Sequence, residues 1–357
     1  MRDDDQLLTP ARLLRGSRTA ALAGAGRPAL GALAAARVLV VGAGGLGAPV
    51  VALLAGAGLG RLTIVDHDVV DASNLARQTL FTAADVGRPK AEVAAERARA
   101  VDAEAEVVAV VRPFDETMVP GHDVVVDAAD SVVVTRAVSD ACARDGVPFV
   151  WGTVLGYDGQ VTVFDDAGRA TGAAVDFHDL HPDVLPDEGS CALDGVLPAL
   201  CGAIGSVMAA QVTALVAGLG EPLVGRVLTV DARRWQWTES RLRRGPASRR
   251  PDPGPAESVP DRIAPAALAE LLADDRRRTL LVDVRTPAER ALGVIAGSVA
   301  PEDAGDLSAP DVVVVTCARG PRAEAWARSV DVSAVVLDGG VQAWQHEGRP
   351  VAPARVT

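Results

Sequence analysis

The chain has 357 residues, 49% hydrophobic and 23% charged, with a formal net charge of −12. That length fits about two folded domains and the composition excludes a disordered chain. The acidic balance argues against gripping nucleic acid, which takes a basic surface.

No uninterrupted apolar run of about 18 or more residues occurs, so no membrane span is expected. The opening MRDDDQLL lacks the basic-then-apolar layout of a signal peptide. Four cysteines, Cys142, Cys191, Cys201 and Cys317, form no CxxC pair and read as thiols of a reducing, cytoplasmic compartment.

Residues 1–36 are rich in Ala, Leu and Arg and lean towards helix. Arg15 and Arg18 are three apart, and on one helix they share a face, which spacing alone reads as a solvated basic edge. Val38–Val41 is an apolar strand feeding the turn Gly42-Ala43-Gly44-Gly45-Leu46-Gly47. An Ala-rich helical run follows, then a second apolar strand ending at Asp66. Such a unit sets bare backbone N–H groups and a helix N-terminus against a nucleotide's phosphates, with the carboxylate placed for the ribose. By itself the turn suits NAD as well as ATP.

The next stretch is more specific. Of the 35 Lys and Arg residues one alone is a lysine, Lys90, and the single asparagine, Asn74, precedes it by 16 positions. Arg77 and Gln78 lie between. A compact ammonium and an amide that both donates and accepts are chemistries that arginine and aspartate do not supply. This density of charge suits a triphosphate.

A helix is expected from about Ala91 to Val101, and strands at Glu106–Val111 and Asp123–Asp127. The second strand ends in Ala128-Ala129-Asp130-Ser131. At the C-terminal end of a parallel strand, Asp127 and Asp130 are candidates to hold Mg²⁺ or ribose, while Asp130 equally suits a helix N-cap. Helix Thr135–Asp145 carries Cys142 as packing. Strands start at Pro148 and span Gly159–Phe164.

Asp165 to Ser190 is a polar loop. Its His178 and His181 have a metal-compatible spacing but no cysteine nearby, and the loop closes on Cys191, a thiol placed for access rather than activation. Cys201, in the apolar helix Val196–Gly218, reads as packing. A strand at Val227–Val230 leads to Trp235 and Trp237, whose alternation predicts that they cover an edge of the core. Residues 241–258, RLRRGPASRRPDPGPAES, cannot bury apolar surface and form a linker.

In the remainder, a helix is expected at Pro265–Ala273 and strands at Leu280–Val284, Asp311–Val315 and Val335–Leu337. The second of these runs into Cys317-Ala318-Arg319-Gly320-Pro321-Arg322 and a helix to Ser329, and Trp344 lies on a short helix. A cysteine at a strand tip entering a helix meets converging N–H groups, and Arg319 and Arg322 add positive charge. Both effects favour a thiolate and can hold an anion.

Taken together, residues 1–243 resemble the bacterial adenylyltransferases that activate ubiquitin-like sulfur-carrier proteins, the MoeB/ThiF group of the ubiquitin-activating-enzyme superfamily. The resemblance rests on Gly42 to Gly47, Asp66-His67-Asp68, Ser73-Asn74-Leu75, Arg77-Gln78, Gly87-Arg88-Pro89-Lys90, Asp127 to Asp130 and Gly159 to Phe164. Residues 260–357 resemble a rhodanese domain, on Asp283-Val284-Arg285, the CxxGxR loop at Cys317, and Gly339-Gly340 with Trp344 and Gly348. Residues 244–259 join the two, an arrangement similar to the MoeZ-like adenylyltransferase/sulfurtransferases. The expected class is α/β: a Rossmann-like nucleotide-binding domain with a mostly parallel sheet, plus a smaller rhodanese-like α/β domain.

The resemblance implies ATP and Mg²⁺, with Gly42, Gly44, Gly45, Gly47, Asn74 and Gln78 around the nucleotide. It implies Asp66 on the ribose, Arg77 and Lys90 on the phosphates, Asp130 for Mg²⁺, and Arg18 reaching the partner subunit's ATP in a homodimer. Cys191 would link covalently to the carrier, and Cys317, Arg319, Gly320 and Arg322 would form the sulfur loop. The implied partner is a ubiquitin-like carrier ending in Gly-Gly, adenylated there and converted to a thiocarboxylate with sulfur from thiosulfate or a cysteine-desulfurase persulfide. The alternatives are a non-catalytic or adenylation-only homologue that binds such a partner, and an NAD-dependent oxidoreductase.

Three departures stand out. The two CxxC pairs of the usual structural zinc are missing, so no zinc is expected and the loop before Cys191 needs another stabiliser. Gln211 stands near an expected Glu, and Gly293-Val294-Ile295 lacks a frequent histidine.

Overall fold

The computed structural model describes residues 7–181, 195–245 and 261–353, the last span without 275, 319, 321, 324, 325, 328, 329 and 331. Cys191 and Arg319 therefore lie outside the described residues. The chain divides into two compact units, Met1–Arg250 and Pro251–Thr357.

The first unit is built on eight strands: β1 (Arg37–Val41), β2 (Arg61–Val65), β3 (Glu106–Val110), β4 (Val124–Asp127), β5 (Phe149–Leu155), β6 (Asp158–Phe164), β7 (Arg226–Asp231) and β8 (Gln236–Arg241). Their order is β3-β2-β1-β4-β5-β6-β7-β8. The pairs from β3 to β5 are parallel and those from β5 to β8 antiparallel. The central strands are apolar runs buried along nearly their whole length, as strands covered on both faces must be. Chain order reverses at β1, which lies between β2 and β4, and in open α/β sheets that reversal opens a crevice at the strand C-termini.

The longest helix, Pro198–Ala217, is apolar enough by composition to cross a bilayer, yet half of its most apolar stretch is buried inside the unit. Two glycines let it lie close. A Cβ on Gly152 of β5 would come 2.4 Å from Met208 Sδ, and one on Gly205 would come 2.8 Å from the Leu46 carbonyl. Gln211 on this helix accepts the Leu223 N–H at 2.8 Å, a bond an amide oxygen makes without charge.

β8 was not expected, and every residue in it is exposed. Trp235 and Trp237 do not cover the core: they are 49% and 38% exposed. An edge strand wet on both faces has the same alternation as a half-buried one, and only its missing neighbour tells them apart.

The second unit holds a four-stranded parallel sheet, β9 (Arg262–Ile263), β10 (Thr279–Asp283), β11 (Val312–Thr316) and β12 (Ala334–Leu337), in the order β10-β11-β12-β9. Small cores lie on its faces, one around Val282, Val315 and Val336, the other around Leu281, Val314, Leu337 and Trp344.

Candidate active site

The glycine turn sits where the chain order reverses. Gly42 has φ +92°, and a Cβ there would lie 2.7 Å from the Ala128 carbonyl; one on Gly47 would lie 1.9 Å from the Gly42 carbonyl. Both positions therefore exclude a side chain. The helix Gly47–Ala57 starts from this turn. A Cβ on Gly45 would meet Cys201 Sγ at 3.1 Å, so Cys201 is packing beneath the turn, as expected.

Asp66 caps β2 and is 9% exposed. It accepts the N–H of Ala43 within the turn (2.7 Å) and the N–H of Asp68 (2.8 Å). Burial pushes its carboxyl up, and the nearby charge of Lys90 opposes that. Lys90 opens the helix Lys90–Val101, and its buried Nζ donates to Asp68 Oδ2 at 2.8 Å. Gln78 is buried against Gly44, and its Oε1 has no described partner. Arg77 lies beside Gly45, with Nη1 on the Ser73 carbonyl at 3.4 Å. Asn74 accepts the Arg77 and Gln78 N–H groups on its carbonyl, which shapes the segment presenting both. Arg88, next to Lys90, is turned to Asp85 and Glu96.

Asp127 is fully buried beside Val41, and burial raises its carboxyl to about 7. Oδ1 accepts the Ala129 N–H, while Oδ2 is buried without a described partner. Asp130 is exposed on the loop that follows. It does not cap the next helix, whose N-cap residue is Ser131.

The two N-terminal arginines part company. Arg15 ends the helix Pro10–Arg15 and pairs with Asp102, which is wholly buried. Arg18 lies exposed on a second short helix, Ser17–Ala20, beyond Gly16, so the shared face does not form. These helices pack near residues 30–34 and 102–104, which lead into β1 and β3 from their starts, whereas the glycine turn lies at the strand ends.

The polar loop contains a short helix, Phe177–Leu180. His178 Nε2 meets Asp140 at 3.1 Å, and His181 packs on Trp151 and Phe177, so the two do not converge. Arg244 ties this loop to the segment following β8: its guanidinium reaches Asp166 at 2.5 Å, Asp179 at 3.3 Å and Asp176 at 3.4 Å. The side chains of Asp176 and Asp179 are 8% and 0% exposed. This clasp was not foreseen; the only local trace of it is the capping box Asp176-x-x-Asp179.

In the second unit Cys317 is 1% exposed at the end of β11 and accepts the Gly320 N–H at 3.0 Å. Arg322 does not stand as unbalanced positive charge. Both terminal nitrogens bond Glu289, at 2.8 and 2.5 Å, and hold that carboxyl down to about 2. Glu289 was missed as well, although Thr286-x-x-Glu289 is a readable capping box. Arg285 is buried on Asp283.

A glycine turn at a strand-order reversal, a carboxylate closing the second strand and a buried ammonium beside it define a nucleotide-binding α/β protein of Rossmann type. The chain belongs to the ThiF family, whose model matches residues 17–250. It is 34% identical over 352 residues to the probable adenylyltransferase/sulfurtransferase MoeZ of Mycobacterium tuberculosis, covering 88% of each chain. It is 40% identical over 217 residues to the sulfur carrier protein adenylyltransferase of Thermus thermophilus, covering 59% of this chain and 80% of that one. Its fold is similar to that of Escherichia coli MccB crystallised with MccA-N7isoASN, with a TM-score of 0.58 and 22% identity, over 67% of this chain and 73% of that one.

Proposed function

We propose that the chain uses ATP to adenylate the C-terminal glycine of a ubiquitin-like sulfur-carrier protein and then passes sulfur to it. The observation that carries the reading is the chain's single lysine, buried at the mouth of the glycine turn beside Asp66. The names of the relatives support both halves of the activity.

In the first half the carrier's carboxylate oxygen forms a bond to the α-phosphorus, the bond to the bridging oxygen breaks, and pyrophosphate leaves with the electron pair. The reactants are both anions, so positioning and positive charge carry the catalysis. Asp66 holds the ribose. Lys90 has three donors, one engaged by Asp68, and with Arg77 it neutralises phosphate oxygens. Magnesium fits the exposed carboxylate of Asp130, a hard oxygen donor, and bound with ATP it supplies further charge neutralisation. Arg18, exposed towards the opposite end of the sheet from the turn, is read as acting on the nucleotide of a second copy, and its distance from its own turn supports a homodimer as the working form.

In the second half, the rhodanese-like unit carries sulfur as a persulfide on Cys317, from thiosulfate or a desulfurase. Its terminal sulfur attacks the acyl carbon and AMP leaves; a thiolate then attacks the Cys317 sulfur of the resulting acyl disulfide, forming a disulfide with it as the thiocarboxylate leaves with the electron pair, and a second thiol reduces that disulfide to restore Cys317. Cys191 is proposed as the link to the carrier. ATP–pyrophosphate exchange that depends on a Gly-Gly carrier tests the first half, and its absence refutes it. Loss of thiosulfate sulfur transfer in Cys317→Ala tests the second; retention refutes the role of Cys317.

A further inference from the structure

A second concavity of the first unit lies away from the glycine turn, at the starts of the parallel strands. Its volume is about 490 Å³, and its walls include Ala32, Ala35, Val124 at the start of β4, Pro148 before β5, Leu215 and Val216. Both the size and the apolar walls are those of a small-molecule site.

The polar groups of this cavity are few and mostly of one sign. Asp165, just past β6, is 1% exposed. Its Oδ2 accepts the Ala170 N–H at 2.7 Å, and its Oδ1 is buried without a described partner. Asp123 lines the same cavity, with Oδ2 on the Arg37 N–H at 2.8 Å. Ala32 and Ala35 belong to the last turn of the helix Gly26–Ala35, and Leu215 and Val216 to the last turn of Pro198–Ala217. Neither turn carries a basic residue. A helix C-terminus holds a partial negative charge, which a cation within a turn of it offsets. Among the described residues lining the cavity Arg169 alone is cationic, and its Nη1 is engaged by the Gly146 carbonyl at 2.9 Å.

We propose that this cavity binds a small organic molecule with a primary ammonium and an apolar body, the ammonium on Asp165 and the body between the two helix ends. A buried carboxylate oxygen without a donor costs free energy that an arriving N–H recovers. An ammonium brings three donors and a full positive charge, which two carboxylates and two helix C-termini favour. Water supplies a donor without the charge, and an anion meets a field of its own sign. The glycine turn lies at the other ends of β1 and β4, so this ligand and a nucleotide occupy separate places. The inference stands apart from the adenylation reading.

Isothermal titration calorimetry of the full chain with phenethylamine, L-phenylalanine and 3-phenylpropionate varies the charge on a common ring. Phenethylamine should bind once per chain, 3-phenylpropionate should not bind, and saturating ATP should leave the stoichiometry unchanged. If L-phenylalanine binds more tightly than phenethylamine, and Arg169→Ala removes the difference, the natural ligand is a free amino acid. The opposite order assigns it to the amines that lack a carboxylate. Asp165→Asn keeps an oxygen for the Ala170 N–H and removes the charge, and it should raise the Kd for phenethylamine about tenfold or more. Ala32→Leu leaves both carboxylates and narrows the cavity, and it should weaken binding with the Tm kept. Either variant, folded with wild-type Tm and wild-type Kd, overturns the proposal. So does the absence of saturable amine binding at millimolar concentration, which leaves the cavity to water. Displacement of the amine by ATP, or equal binding of 3-phenylpropionate, overturns it as well.

Discussion

Replacing Lys90 by Met removes the ammonium and keeps the volume of its stem. The pair it makes is asymmetric: the lysine side chain is 7% exposed and Asp68 is 53% exposed. Asp68 returns to solvent at little cost, so the loss falls on buried Asp66, whose ionised form Lys90 favours. Breaking a fully buried pair costs about 3–5 kcal/mol. The two backbone N–H bonds to Asp66 and the exposure of Asp68 reduce this to roughly 2 kcal/mol. The sign with pH follows from the raised carboxyl. The folded state holds the Asp66 proton more tightly than the unfolded chain, so its contribution to stability falls as pH rises through its folded pKa, and losing Lys90 deepens that fall. Urea denaturation should therefore show the deficit of Lys90→Met to be largest at neutral and alkaline pH and to fade in acid. KM for ATP should rise in the same variant, while Lys90→Arg should restore stability in part without restoring exchange. Equal stability at pH 8 together with an unchanged KM for ATP would refute the reasoning.

Arg244→Ala leaves Asp176 and Asp179 buried without their cation; because the guanidinium is 41% exposed, the loss should be about 1 kcal/mol in urea and should shrink only partly in high salt. No loss would show that the clasp contributes nothing. Glu289→Gln removes a carboxylate held down to about 2. Stability from a depressed carboxyl is present above its unfolded pKa and is lost as pH falls through the folded one, so the variant should be weaker by on the order of 2 kcal/mol at pH 7 and equal to wild type near pH 2. Asp127→Asn should behave oppositely: wild type loses stability as pH climbs towards about 7, and the variant, lacking that titration, should gain on it by on the order of 2 kcal/mol at pH 8. A parallel pH profile for the two proteins would contradict the burial argument.

The nucleotide unit was legible because its signals are local. Apolar runs gave β1, β2 and β4 within a residue or so, and the glycines, Asp66 and Lys90 are spaced by the strand–turn–helix unit itself. What stayed hidden depends on partners far along the chain. Nothing near Arg322 announces Glu289, and nothing in the Arg-rich segment singles out Arg244. The Arg15–Arg18 spacing misled because the first helix ends at its C-cap, Gly16, between the two arginines, and a second helix starts at Ser17. Trp235 and Trp237 misled because alternation reports a strand, not which side of it is wet.

The solitary lysine has one more consequence. An activated acyl group on a ubiquitin-like protein is an electrophile that any accessible primary amine will intercept. In this chain the only side-chain amine is 5% exposed and bonded to Asp68. Guanidinium groups, which stay protonated, replace it elsewhere. On the adenylation reading proposed above, the described surface offers an activated carrier no exposed side-chain amine on which to form an isopeptide, and it is composition rather than a lid that withholds one.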